Sequence, residues 1–204
     1  MWQGQNQEDK IISEYFGDYI GILLDIGAND GLTLSNSYIL ITKGWRATLI
    51  EPSPIVFPKL EERYYFNTDA QCLQFAIGTE NAILPFYHSG ELLGNGDISL
   101  VSTLDERELE RWKSAKIKFD KIEVPVINFE TLLMNCKSKY FDFISMDIEG
   151  MELSVLPQIN LYQLGVKCFC VEWNGKNFDF FDSYFKQYGL KLLAQNAENL
   201  IYVK

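Results

Sequence analysis

Residues 23–31, Leu23-Leu24-Asp25-Ile26-Gly27-Ala28-Asn29-Asp30-Gly31, decide the fold: an apolar run meets a glycine turn, and a helical pattern over residues 32–43 follows. In open parallel sheets, ligands bind beyond the carboxyl ends of strands, where a following helix presents unpaired backbone N–H groups. Gly27 and Gly31 remove Cβ atoms that would keep a ligand from the backbone. The spacing is G-x-x-x-G, because Asn29 and Leu32 occupy positions where the dinucleotide fingerprint G-x-G-x-x-G needs glycine. Taken alone, such a turn also fits a tight strand–helix connection that holds nothing.

The neighbouring residues add to it. Glu51 ends the next apolar run, 46–51, twenty residues after Gly31. A carboxylate there can accept hydrogen bonds from two vicinal ribose hydroxyls. Asp25, beside the glycines, is placed to face a cationic amino group. Further along, apolar runs alternate with helical patterns, the rhythm of a parallel α/β sheet in one domain spanning 1–204. Strands are expected at 20–26, 46–51, 71–77, 141–146 and 167–172, with a short extra one at 83–87 and a terminal hairpin from 190–193 and 200–203. Helices are expected at 6–16, 32–43, 54–64, 149–156 and 178–188. Pro58 is an awkward interior residue of the third of these. The stretch 88–123, with Gly90, Gly94 and Gly96 ahead of a charged helix at 105–118, interrupts this rhythm and reads as a substrate-side insertion or lid.

Composition narrows the function. Of 204 residues, 28 are acidic and 18 basic, a net charge of −10, which disfavours nucleic acid and anionic membranes as partners. The one histidine, His88, excludes multi-histidine metal sites and leaves a single imidazole as a second-rank candidate base. Cys72, Cys136, Cys168 and Cys170 form no C-x-x-C pair. Buried thiols in a reducing compartment fit them, and with no basic-then-apolar leader visible the expected location is cytoplasmic. Six basic residues between Arg107 and Lys121, interleaved with acids, read as a solvated helix or as part of the lid.

Asp25-Ile-Gly-Ala-Asn-Asp-Gly31, Ser35-Asn36, Gly44-Trp45, Ile50-Glu51-Pro52 and Phe143-Ile-Ser-Met-Asp147-Ile-Glu149-Gly150-Met-Glu152 together resemble the FkbM-type class I methyltransferases. The resemblance implies a Rossmann-like, mostly parallel seven-stranded sheet with an antiparallel last strand and helices on both faces. It implies S-adenosyl-L-methionine as cofactor and methyl transfer to an oxygen of a sugar, glycan or small metabolite. Carried onto this chain, Asp25, Gly27, Ala28, Asn29 and Gly31 form the cofactor loop. Glu51 holds the ribose, with Pro52 and Ser53 near the adenosine. Ala76 and Ile77 meet the adenine, and Ser35 and Asn36 lie toward the methionine end. Asp147, at a strand end facing the methyl group, is the expected base, with Glu149 beside it, because an alcohol acceptor must lose its proton. Glu149 and Glu152 read equally as acids at a helix N-terminus.

Asp147, Glu172 and Asn174 could present oxygen ligands to Mg²⁺, yet their spacing differs from that of metal-dependent relatives, so a divalent metal is allowed for but not expected. A nucleoside- or nicotinamide-binding enzyme of another class, or a catalytically silent binding module, is the alternative. The acceptor and the choice between oxygen and nitrogen stay open. The aromatic stretch 173–185 is either core or a contact in a homo-oligomer.

Overall fold

The computed structural model describes residues 2–204. Its chain runs α1 (Glu8–Phe16), β1 (Ile22–Ile26), α2 (Tyr38–Thr42), β2 (Arg46–Ile50), α3 (Phe57–Tyr64), β3 (Ala70–Leu73), β4 (Ala76–Ile77) and β5 (Ala82–Ser89). It continues with α4 (Leu109–Trp112), β6 (Phe119–Ile127), α5 (Phe129–Asn135), β7 (Phe143–Met146), α6 (Glu152–Val155), α7 (Leu161–Leu164), β8 (Cys168–Glu172), α8 (Phe178–Gln187), β9 (Lys191–Gln195) and β10 (Asn199–Val203).

Seven strands form one sheet in the order β3-β2-β1-β7-β8-β10-β9. Neighbours from β3 to β8 are parallel, and β10 is antiparallel to both β8 and β9. The expected sheet, with its last strand reversed, is therefore present. Strand order reverses between β1 and β7, which opens a crevice at their carboxyl ends, where Asp25 and Asp147 stand.

The two-residue period of a strand explains the two cores. Leu24, Ile26, Ile144, Met146, Phe169 and Val171 point to one face, where Leu132, Val155, Leu161 and Phe185 cover them. Leu23, Phe143, Cys168 and Cys170 point to the other, against Ile12, Leu40, Trp45 and Leu60. Both faces of β7 and β8 are covered, so these strands read as unbroken apolar runs rather than as alternating ones. Cys168 and Cys170, two residues apart on β8, share a face and are buried free thiols. Phe181, Tyr184 and Phe185 of α8 belong to the core.

Several expected boundaries move. The 32–43 helix shrinks to Tyr38–Thr42 because Leu34 has a φ of 55° and the Ser35 hydroxyl accepts the Tyr38 N–H, which starts the helix late. Pro58 lies in the first turn of α3, where its missing N–H is harmless. The expected 71–77 strand divides, with β3 staying in the main sheet and β4 joining a second sheet ordered β4-β6-β5. Strand β6 was not foreseen. Its charged residues alternate with Ile122, Val124 and Val126, and it pairs with β5 along eight positions, from Ala82 opposite Val126 to Ser89 opposite Phe119. The charged helix expected at 105–118 is instead three short turns, Glu106–Glu108, Leu109–Trp112 and Lys113–Ala115. The 149–156 helix begins only at Glu152, because Glu149 (φ 50°) and Gly150 (φ 101°) are left-handed. Among the described residues, no helix is long and apolar enough to cross a membrane.

Candidate active site

The crevice at the β1–β7 switch point is a cavity of about 240 Å³. Asp25, Gly27, Ala28, Asn29, Ser35, Asn36, Glu51, Pro52, Ala76, Ile77, Asp147 and Glu149 all line it. Three candidates do not. Gly31 faces α3, where a Cβ would come within 2.7 Å of Leu60 and Tyr64. Ser53 caps the turn into α3, its hydroxyl accepting the N–H groups of Ile55 and Val56. His88 sits in β5 opposite Asp120, away from the cavity, and burial lowers its pKa.

The glycine turn works differently from the expectation of free N–H donors. Gly27 and Ala28 both donate to the Ile50 carbonyl, at 3.0 and 2.9 Å. Leu32 and Thr33 donate to the Asp30 carboxylate, and Gly31 donates to Ala28. Gly27 is required by close packing, since its φ is 91° and an added Cβ would lie 1.8 Å from the Asp147 carbonyl oxygen. Carboxylates, rather than N–H groups, are what the loop offers.

Glu51 is held by the Asn29 N–H at 3.0 Å on one oxygen and by the Ser53 N–H at 2.8 Å on the other. Each oxygen keeps a further lone pair. Burial raises its pKa to about 7. Asp25 accepts a 2.5 Å hydrogen bond from the Ser37 hydroxyl, and burial raises its pKa to about 6. At the same end, the Asn36 amide donates weakly to Ser145 (3.4 Å) while its carbonyl oxygen is buried without a partner. Gln5, Glu198 and Asn199 also line the cavity. The loop before β10 is held by Glu8, fully buried in α1, which accepts from Asn196 at 2.7 Å and Asn199 at 3.0 Å. In the sequence, Glu8 looked like any acid in a first helical turn.

The carboxyl ends of β7 and β8, next to β1 and β10, are acidic. Asp147 closes β7 and Glu172 closes β8, and the Glu172 charge beside Asp147 adds to the burial that raises its proton affinity. Burial first, and then the neighbouring Glu172 charge, holds Asp147 and Glu149 well above the ordinary carboxylate range. Burial and the Glu152 charge push Glu172 up to about 8. The carboxylate oxygens of Asp147, Glu152 and Glu172 come within 4.8 Å of one another. Glu152, however, accepts the Ile148 and Gly150 N–H groups, one on each oxygen, and so ties the turn before α6. Asn174 accepts from Arg111 at 2.7 Å. With Glu152 and Asn174 engaged and a guanidinium alongside, the donor set is a poor match for a cation that takes six or more oxygens.

Arg111 comes from α4, in the 88–123 segment read from the sequence as an insertion or lid, where nothing singled it out among six basic residues. That segment roofs the cavity with Leu92, Leu93, Leu100 and Trp112. Besides Arg111, it is fastened by Asn29 Nδ2, which donates to the Ile98 carbonyl at 3.1 Å, and by the Thr103 hydroxyl, which donates to the Glu149 carbonyl at 2.6 Å.

The model of the methyltransferase FkbM domain family matches residues 25–194. No curated protein matches the chain. Among solved structures, the ribosomal protein L11 methylase of Lactobacillus delbrueckii subsp. bulgaricus superposes with a TM-score of 0.53 at 10% identity, over 98% of this chain and 77% of that one. The METTL16 MTase domain does so with 0.53 at 9%, over 97% and 66%. Monomeric WbdD gives 0.54 at 12%, over 98% and 41%, so this chain spans about two fifths of its length. At these identities the likeness is one of fold, that of the Rossmann-like class I methyltransferases.

Proposed function

Because the chain belongs to the FkbM methyltransferase family, we propose that it is an S-adenosyl-L-methionine-dependent O-methyltransferase acting on a hydroxyl of a sugar, glycan or small metabolite. One observation carries this reading: Asp147, a carboxyl with raised proton affinity, opens onto the same cavity as Glu51 and Asp25.

The residues present suit this cofactor. Glu51 keeps lone pairs for two ribose hydroxyls, and the Phe75-Ala76-Ile77 strip offers a flat apolar wall for a purine. Asp25 and the unpartnered Asn36 carbonyl are acceptors suited to an ammonium group. S-adenosylmethionine, when bound, supplies an electrophilic methyl group on a positively charged sulfur. The chain's own part is to align a hydroxyl and take its proton. In this reading Asp147 accepts the hydroxyl proton, and with the Glu172 carboxyl within 4.8 Å of it the pair carries one proton before transfer and two after it. Raised proton affinity makes the pair a stronger base than a solvated carboxylate. The 88–123 segment acts as a lid that keeps water from the reaction.

The test is incubation of purified protein with methyl-labelled cofactor and a panel of hydroxylated acceptors, together with calorimetry against S-adenosylmethionine and NAD. Label on an acceptor oxygen is expected. NAD binding without S-adenosylmethionine binding would overturn the assignment.

A further inference from the structure

Four carboxyl groups crowd the carboxyl ends of β7 and β8, the buried Glu149, Glu152 and Glu172 and the more open Asp147, and Arg111 is the cation that reaches them. Arg111 Nη1 lies 3.3 Å from Glu149 Oε2, and Nη2 lies 3.9 Å from Glu172 Oε1. Nη2 also donates to Asn174 Oδ1 at 2.7 Å. Glu108, one turn earlier, holds the guanidinium at 3.6 Å, and the Trp112 ring lies under it at 4.6 Å. The turn that leads into α4 rests on the loop after β7: a Cβ on Gly150 would lie 2.8 Å from Glu108 Cγ. Lys176 stands 3.9 Å from Glu108, outside the cluster, and the remaining charge facing Asp147 is Asp25 on β1.

We propose that Arg111 is a positioning residue for methyl transfer: it clamps the 88–123 segment onto the β7 and β8 carboxyl ends and holds the Asp147–Glu172 pair in its proton-accepting, anionic form. The proposal rests on the reading of Asp147 as the base. A guanidinium is suited to the task because it stays charged throughout the working pH range and spans two oxygens with a planar fork. Its attraction opposes the burial that drives protons onto Asp147, Glu149 and Glu172. Without it the pair stays protonated to higher pH, and a protonated pair cannot accept the acceptor's proton.

The experiment compares wild type, Arg111→Gln and Arg111→Lys. In kcat/KM against pH, Arg111→Gln is expected to displace the acid limb upward by about one unit, equivalent to a tenfold loss at a pH below the limb. Arg111→Lys restores most of the limb's position, because it returns the charge, but not the full rate, because it lacks the fork. Affinity for S-adenosylhomocysteine stays within twofold in both. An unshifted limb in Arg111→Gln overturns the proposal, as does a lysine variant whose limb lies with the glutamine one.

A second readout needs no acceptor. Arg111→Gln should steepen the fall of the thermal midpoint between pH 5 and 9, since the buried carboxylates then ionise without their cation. An unchanged slope overturns the clamp. A steepened slope in a protein that transfers no methyl group leaves the clamp standing and rejects the functional reading instead.

Discussion

Gly27 makes room for Asp147. The carbonyl oxygen of Asp147 occupies the place a Cβ on Gly27 would take, 1.8 Å from it, and the Asp147 N–H donates to the Ile26 carbonyl at 3.0 Å. The cofactor turn after β1 and the proposed base after β7 are thus one packed unit, and a change in either displaces the other.

Substituting Gly27→Ala forces both a positive-φ strain and that overlap. The combined cost is expected to reach about 2–6 kcal/mol, because each effect alone is worth roughly 1–3. Chemical denaturation should show the loss, and any folded fraction should transfer methyl groups at least a hundredfold more slowly. A stable, fully active Gly27→Ala protein would contradict the packing described for the two turns.

The buried carboxyl groups make stability depend on pH in an unusual direction. Asp25, Glu51, Glu152 and Glu172 have pKa values raised to about 6, 7, 7 and 8, chiefly by burial. The folded chain therefore holds protons that the unfolded chain has released above about pH 4. Their contribution is complete below that pH and is lost as pH rises through 6 to 8. The ligand-free protein should melt roughly 5 °C or more higher at pH 5 than at pH 8. Melting curves across that range check this, and a midpoint that climbs with pH contradicts it.

Glu51 is held at both oxygens by backbone N–H groups, so its orientation is set before any ligand arrives. Glu51→Gln puts an amide donor where one of those N–H groups also donates, and it weakens acceptance from a ribose. Calorimetry with S-adenosylhomocysteine should show affinity reduced by about ten- to a hundredfold. A change under twofold would remove Glu51 from the cofactor site.

Chelation should leave the rate unchanged, because Glu152 is spent on the Ile148 and Gly150 N–H groups and Asn174 on Arg111. Activity lost to EDTA and restored by Mg²⁺ would show that these contacts give way to an ion.

The parts of this protein legible in its sequence are those with local signatures. The apolar strands β1, β2, β7 and β8 announce themselves, and the acids at their carboxyl ends, Asp25, Glu51, Asp147 and Glu172, are found by reading to the end of each run. Strand β6 was illegible because three of its nine residues are charged and its partner β5 lies some thirty residues upstream. The turn before α6 was misread as helix because Glu149 and Glu152 are ordinary first-turn residues by type. Only the left-handed backbone at Glu149 and Gly150 turns Glu152 into a cap and leaves Glu149 to Arg111. Arg111 and Glu8 act across about 40 and 190 residues of chain, distances over which no spacing rule speaks.

The account stands or falls on Asp147. The most direct measurement is methyl transfer by Asp147→Asn to the acceptor that wild type uses, with S-adenosylhomocysteine affinity measured on the same sample. The expected result is affinity within a fewfold of wild type and a rate lower by a factor of about 10² to 10⁴, the usual contribution of a positioned base. Full activity in a variant that binds the cofactor normally would show that Asp147 is not the base.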